Sequence, residues 1–156
     1  MYIPKYFKIT ELVSRKIFEK RGDMAFGLLD DRILQTLDQL REHFGPLTCN
    51  NWAAGGDRQY SCFRSSSEPY YSPFSQHSFG RAVDLISKKH TATAMREYIF
   101  NHPAKFPHIT FVEEGGDVSW LHVDCRNLYG FIEPTQDGIC FWNKNSRATR
   151  IAWRHK

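Results

Sequence analysis

Ser75-Gln76-His77-Ser78-Phe79-Gly80-Arg81-Ala82-Val83-Asp84 places an imidazole and a carboxylate on either side of a glycine, and Trp120-Leu121-His122-Val123-Asp124 supplies a second imidazole. His77, Asp84 and His122 together form a donor set suited to zinc, with a fourth tetrahedral position left for water. A structural zinc site fills all four positions with protein, so an open position points to catalysis. The remainder of the chain reads as scaffold that brings these two runs together.

Working outward, Arg81 to Ile86 alternates as a strand carrying Asp84, and the Ser87-Lys88-Lys89-His90 cluster ends it. Thr91 to Asn101 reads as a threonine-capped helix with Ala94, Met95, Tyr98 and Ile99 on one side. Ile109 to Glu113 and Ser119 to Cys125 read as two strands joined across Gly115-Gly116, a hairpin signal, and Gly138 to Trp142 adds a last strand. Upstream, the stretch from Asp57 to Phe79 is rich in Ser, Gly, Tyr and Pro with no sustained period. It reads as a long loop, which inside a compact domain is usually functional. Leu47 to Trp52 has strand composition. Two helices are expected before it. One covers residues 9 to 20, with Ile9, Leu12, Val13 and Ile17 on one face. The other is capped by Asp30 or Asp31 and carries Ile33, Leu34, Leu37, Leu40 and Phe44 as far as Gly45-Pro46. The expected fold class is α+β, a small antiparallel sheet with helices packed on it.

At 156 residues, with 41% hydrophobic and 15% aromatic content, the chain is sized for one domain with a real core. Its expected parts are a helical N-terminal part over 1–46, a zinc-site core over 47–143 and a basic tail over 144–156. No apolar run approaches the roughly 20 residues of a membrane span, and a soluble protein is expected. The start Met1-Tyr2-Ile3-Pro4-Lys5 lacks the pattern of a secretory signal, which predicts cytoplasmic synthesis. Cys49, Cys62, Cys125 and Cys140 are scattered without a CxxC pair and read as reduced, buried thiols. The formal charge of +4 is uneven, with Lys144, Arg147, Arg150, Arg154 and Lys156 crowding the tail. A solvated, partly frayed end accounts for that tail as readily as affinity for an anionic polymer.

Of the seven histidines, His43, His90, His102, His108 and His155 have no such context and read as surface or hydrogen-bonded core. The pattern Ser-x-His-x-x-Gly-x-Ala-x-Asp followed by Trp-x-His-x-Asp resembles the zinc D-alanyl-D-alanine carboxypeptidase family. That family includes L-alanyl-D-glutamate endolysins and vancomycin-resistance dipeptidases, and it shares its zinc fold with hedgehog domains. The likeness runs from about Asn50 to Arg126 and takes in Phe63-Arg64-Ser65. It implies that His77, Asp84 and His122 are zinc ligands, that Arg64 binds substrate or stabilises the transition state, and that Ser75 lies on the substrate side of the metal loop. The activity implied is that of a hydrolase, a metallopeptidase acting on peptidoglycan as carboxypeptidase or endolysin. A phage-like lytic protein that reaches the cell wall after membrane permeabilisation fits this context.

The general base departs from the family pattern. Many members carry an acidic residue three positions before the last histidine, where this chain has Ser119. Glu113, Glu114 and Asp117 are the candidates. Side chains alternate faces along a strand, so an even-numbered hairpin loop puts Glu113 on the face of Trp120 and His122, and an odd one favours Glu114. The Gly-Gly signal selects the even loop and Glu113, with Asp117 in or beside the turn. The competing account treats both glutamates as solvated hairpin charges. Asp124 is expected behind the ligands, orienting one of them or holding Arg126, because a fourth protein ligand would close the water site. Trp120 is expected as a wall of the cleft. The rival class is a zinc module of hedgehog-like fold without catalysis. A nucleic-acid binder acting through the tail lacks aromatic interleaving and any known motif.

Overall fold

The structure is a computed structural model that describes residues 1–115, 118–128 and 137–154. Asp117, the reserve candidate for the base, lies outside the described residues, as do Gly116, His155 and Lys156.

The N-terminal helical layer follows local signals in one half and departs from them in the other. Helix α2, Asp31–Phe44, starts where the Asp30 side chain accepts a hydrogen bond from Arg32 N, buries Ile33, Leu34, Leu37, Leu40 and Phe44, and stops at Gly45. The helix expected over residues 9 to 20 is broken in two: a 3-10 turn over Ile9–Glu11, then α1 over Arg15–Arg21 with Ser14 as its cap. The break has a tertiary cause. Leu12 O accepts from Phe63 N at 3.2 Å, and Val13 O accepts from the Trp52 indole at 2.8 Å. Those carbonyls are therefore engaged by distant chain instead of by a helix.

The sheet has six strands: β1 Leu47–Thr48, β2 Ala82–Ser87, β3 Phe111–Glu114, β4 Leu121–Asp124, β5 Gly138–Asn143 and β6 Ala148–Trp153. Their order is β1-β2-β4-β3-β5-β6. It is a mixed sheet, not the small antiparallel one expected, because β3 and β5 run parallel. With β4 already flanked by β2 and β3, the free edge of β3 is its outer one, and β5 joins there. The expected strand over 47–52 is reduced to its first two residues, and Trp52–Ala54 forms a 3-10 turn. The basic tail, read either as a solvated end or as a surface for an anionic polymer, contributes β6, paired along its length with β5.

Between β2 and β3 lies α3, Ala92–Asn101, capped by Thr91, whose Oγ1 accepts from Ala94 N at 3.1 Å. Register assigns each strand residue to a face. Val83, Val123, Val112 and Phe141 are neighbours on one face and fully buried in the core that also contains the α2 leucines, Met95 and Ile99. One residue further along each strand, Asp84, His122, Glu113 and Trp142 form a row on the other face. All four cysteines are free and buried, as expected. No helix among the described residues is long and apolar enough to cross a membrane.

Candidate metal centre

Asp84 and His122 face each other across β2 and β4 as direct register partners. His77 reaches them from a tight run of turns: Ser78 N donates to Ser75 O at 3.0 Å, Gly80 N to His77 O at 3.2 Å and Arg81 N to Gln76 O at 2.9 Å. The run closes at Gly80, which has a φ of 65° and lies so near the end of the 3-10 turn Gly22–Leu28, just before α2, that a Cβ there would stand 2.0 Å from Leu28 O. Any side chain would be both strained and obstructed. Two further backbone bonds fix the loop, from Asp30 N to Gly80 O at 2.9 Å and from Asp84 N to Ser61 O at 2.7 Å.

His77, Asp84 and His122 are all buried, and one ligand atom from each lies within 4.8 Å of the others. His122 Nδ1 is 2.8 Å from Asp84 Oδ1, and His77 Nε2 is 3.4 Å from Asp84 Oδ2. The second nitrogen of each ring is occupied elsewhere. His77 Nδ1 donates to Cys62 O at 2.7 Å, and His122 Nε2 donates to Asp124 Oδ2 at 3.2 Å. Such outer bonds fix each ring's orientation, so that His77 Nε2 and, once its proton is given up, His122 Nδ1 turn a lone pair to the inside of the cluster. This buried group could hold a metal ion. The spacing agrees with that use, since tetrahedral bonds of about 2.0–2.1 Å separate ligand atoms by about 3.3 Å.

The electrostatics divide the three residues. Burial alone would raise the pKa of Asp84, but the bond from the charged His122, with His77 close by, holds it far below the usual carboxylate range. Burial is the largest influence on His77 and lowers its pKa despite Asp84, so this ring stays neutral. Burial also pulls His122 down, but its bonds to Asp124 and Asp84 and their charges outweigh it and raise its pKa to about 9. The metal-free cluster therefore holds its proton on His122, between two carboxylates. Asp124 has its pKa lowered against its own burial by His122 and Arg126. Its carboxylate contacts both groups, His122 through Nε2 and Arg126 through Nε and Nη2.

Around the cluster opens a cleft of about 520 Å³. Arg64, Ser75, Glu113 and Trp120, all named from the sequence, line it with His77, Asp84 and His122. Glu113 is the register partner of His122 on one side and of Trp142 on the other, and its ion pair is a 3.8 Å contact to the exposed Lys144. Glu114 points to the other face, where Arg150 binds it and also Glu97. The parity argument thus picks the cleft-facing glutamate, although residues 115–120 separate the strands where a two-residue turn was one option. Arg64 does not simply face the cleft: its Nη2 donates to Asp84 Oδ2 at 3.0 Å and its Nε to Tyr60 O at 2.6 Å.

Sequence reasoning missed Phe74, Gln76, Phe111 and Trp142 as lining residues, and it named Arg126 only as a partner of Asp124. Phe111 shares a face with Glu113 by alternation and was within reach of the same argument. Trp142 was not, because its position depends on the parallel pairing of β5. Among the remaining histidines, His43 stacks on Tyr98 at 3.8 Å and His108 Nε2 lies 2.8 Å from Gln35 Oε1, both structural roles. Comparison with known proteins finds no matching family model, no matching curated protein and no matching solved structure.

Proposed function

We propose that this chain is a zinc-dependent peptidase that hydrolyses a peptide bond of peptidoglycan, as a D-alanyl-D-alanine carboxypeptidase or an endolysin-type endopeptidase. The observation that carries the proposal is the row of Asp84, His122 and Glu113 across three adjacent strands, with His77 brought over it in one cleft. Two imidazoles and a carboxylate suit zinc, and the motif resemblance to the hedgehog-type zinc site supports the same choice. When bound, the ion would supply Lewis acidity toward a carbonyl and lower the pKa of a water.

The chain's own groups would do the rest. Glu113, beside His122, takes the proton of the attacking water and delivers it to the leaving amine. Arg64 holds Asp84 in place and presents its guanidinium to a substrate carboxylate or the developing oxyanion. Trp120 and Ser75 wall the cleft and orient the peptide. Action at the cell wall, reached by release from the cell in which the chain is made, belongs to the same proposal.

The test is amine release from purified peptidoglycan by protein carrying zinc, by protein stripped with a chelator, and by stripped protein restored with zinc. Release is expected in the first and third cases only. One bound zinc with no release in any of them would favour the non-catalytic module, and no zinc binding at all would end both readings.

A further inference from the structure

Helix α3 carries a charge where its pattern calls for an apolar side chain. Ala92, Met95 and Ile99 are its buried apolar residues, and Arg96 lies among them on the same face with 4% of its surface exposed. A guanidinium does not give up its proton, so burying one is costly unless it finds partners. Among the described residues no carboxylate pairs with it: Arg150 binds Glu114, and the ion pair of Glu113 is with Lys144. Its partners are two backbone carbonyls instead. Nη2 donates to Val118 O at 3.0 Å and to Trp120 O at 2.6 Å, and Nε is buried without a partner.

Those carbonyls belong to a stretch of chain that the sheet does not hold. The pairing of β4 with β2 ends where Leu85 faces Leu121, and its pairing with β3 ends where Glu113 faces His122. Residues 118–120 lie beyond both, joined to Gly115 by a long backbone bond from Val118 N at 3.3 Å. Carbonyls two residues apart point the same way on an extended chain, so a donor that grips both keeps this stretch extended as a continuation of β4. Side chains then alternate as in the strand, and Trp120 falls on the face of His122, where it lines the cleft.

The geometry points to Arg96 as the positioning residue for Trp120: where no neighbouring strand is available, a buried side chain of α3 holds the cleft wall beside the candidate metal cluster. Arg96 does not itself line the cleft and acts through Trp120. The effect on turnover rests on the peptidase reading, but the position of Trp120 can be measured without cleavage.

The probe is 5-fluorotryptophan placed at Trp52, Trp120, Trp142 and Trp153 of the full chain and read by fluorine NMR, with the Trp120 signal assigned from Trp120→Phe and zinc content measured in every sample. Arg96→Lys keeps the cation but loses the planar fork, and Arg96→Met removes the cation at similar length. In both variants the Trp120 signal should shift or broaden, more so in Arg96→Met, while those of Trp52 and Trp153, which lie outside the cleft, stay in place. Zinc content should stay at the wild-type level. On soluble wall fragments KM should rise about 3- to 10-fold, the worth of one aromatic contact, with kcat nearly unchanged. If Arg96→Met does not fold, Arg96→Lys decides. An unmoved Trp120 signal in a folded variant would overturn the assignment. So would all signals moving together or neither variant folding, each of which makes Arg96 a residue of the core alone, and so would loss of zinc, which places its effect on His122. A fall in kcat at unchanged KM would overturn the substrate-holding role of the wall. A displaced Trp120 signal with no amine release by wild type would leave Arg96 in its role and end the peptidase reading, whereas release with an unmoved signal would do the reverse.

Discussion

On one face of the sheet Asp84, His122 and Glu113 are held in fixed mutual geometry around a cleft, whereas one residue further along the same strands Val83, Val123 and Val112 are fully buried in the core. The two faces share every backbone bond and differ in what surrounds the side chains, a polar cleft on one and an apolar core on the other. A single step of register would exchange them, turning three ionisable groups into the apolar core and three valines into the cleft. Glu113 and Glu114 display the same contrast in adjacent residues, one in the cleft and the other bound by Arg150 behind the sheet.

The contrast is broken most completely at the ligands. His77→Ala should eliminate stoichiometric zinc and activity together, because two remaining donors cannot hold the ion firmly. Metal analysis by mass spectrometry on the purified variant checks this, and a full equivalent of zinc would remove His77 from the site.

Glu113→Gln should leave zinc content and fold intact while turnover on peptidoglycan falls by about two to four orders of magnitude, the usual worth of a general base. Its neighbour sharpens the comparison. Glu114→Gln should leave turnover near wild type and cost only about 1 kcal/mol or less in denaturant unfolding, as expected for a partly exposed ion pair. If the two variants exchange phenotypes, the base lies on the other face and the mechanism is wrong.

The smallest effect concerns protons. The pKa of His122 is raised to about 9, so the proton it holds stabilises the metal-free fold fully below the ordinary histidine pKa, and that stabilisation is lost as pH rises through about 9. Asp84 is already ionised and His77 already neutral near pH 7. Zinc binding should therefore release one proton, and apparent affinity should increase about 10-fold per pH unit between about pH 7 and 9. Competition against a chromophoric chelator at several pH values measures the slope. A flat profile would place the proton elsewhere, and a doubled slope would make His77 charged as well.

Features that depend on nearby residues were legible in the sequence. The Asp30 cap, leucine stripe and Gly45-Pro46 stop of α2 are all local, and donor chemistry picked out His77, Asp84 and His122, which the fold gathers into one buried group that could hold a metal ion. The parity argument for Glu113 worked with a separation over residues 115–120 because any even length gives the same face. Features set by distant chain were not legible. The break after Ile9–Glu11 arises because Phe63 and Trp52 take the carbonyls of Leu12 and Val13. The parallel entry of β5, which brings Trp142 beside Glu113, depends on which sheet edge is free. Arg150 read as tail charge but binds Glu97 and Glu114 across the back of the sheet.

The contact of Gly80 with Leu28 affects how the centre could be transplanted. The helical layer supplies no ligand, yet it forms the surface on which the His77 loop closes, and Asp30, the cap of α2, bonds that loop through its own backbone. A graft of the two ligand runs onto another sheet would carry the donors without the wall that aims His77. The centre is therefore not a portable motif, and an engineered minimal version would have to keep the turn ending at Leu28 and the cap of α2 along with the strands.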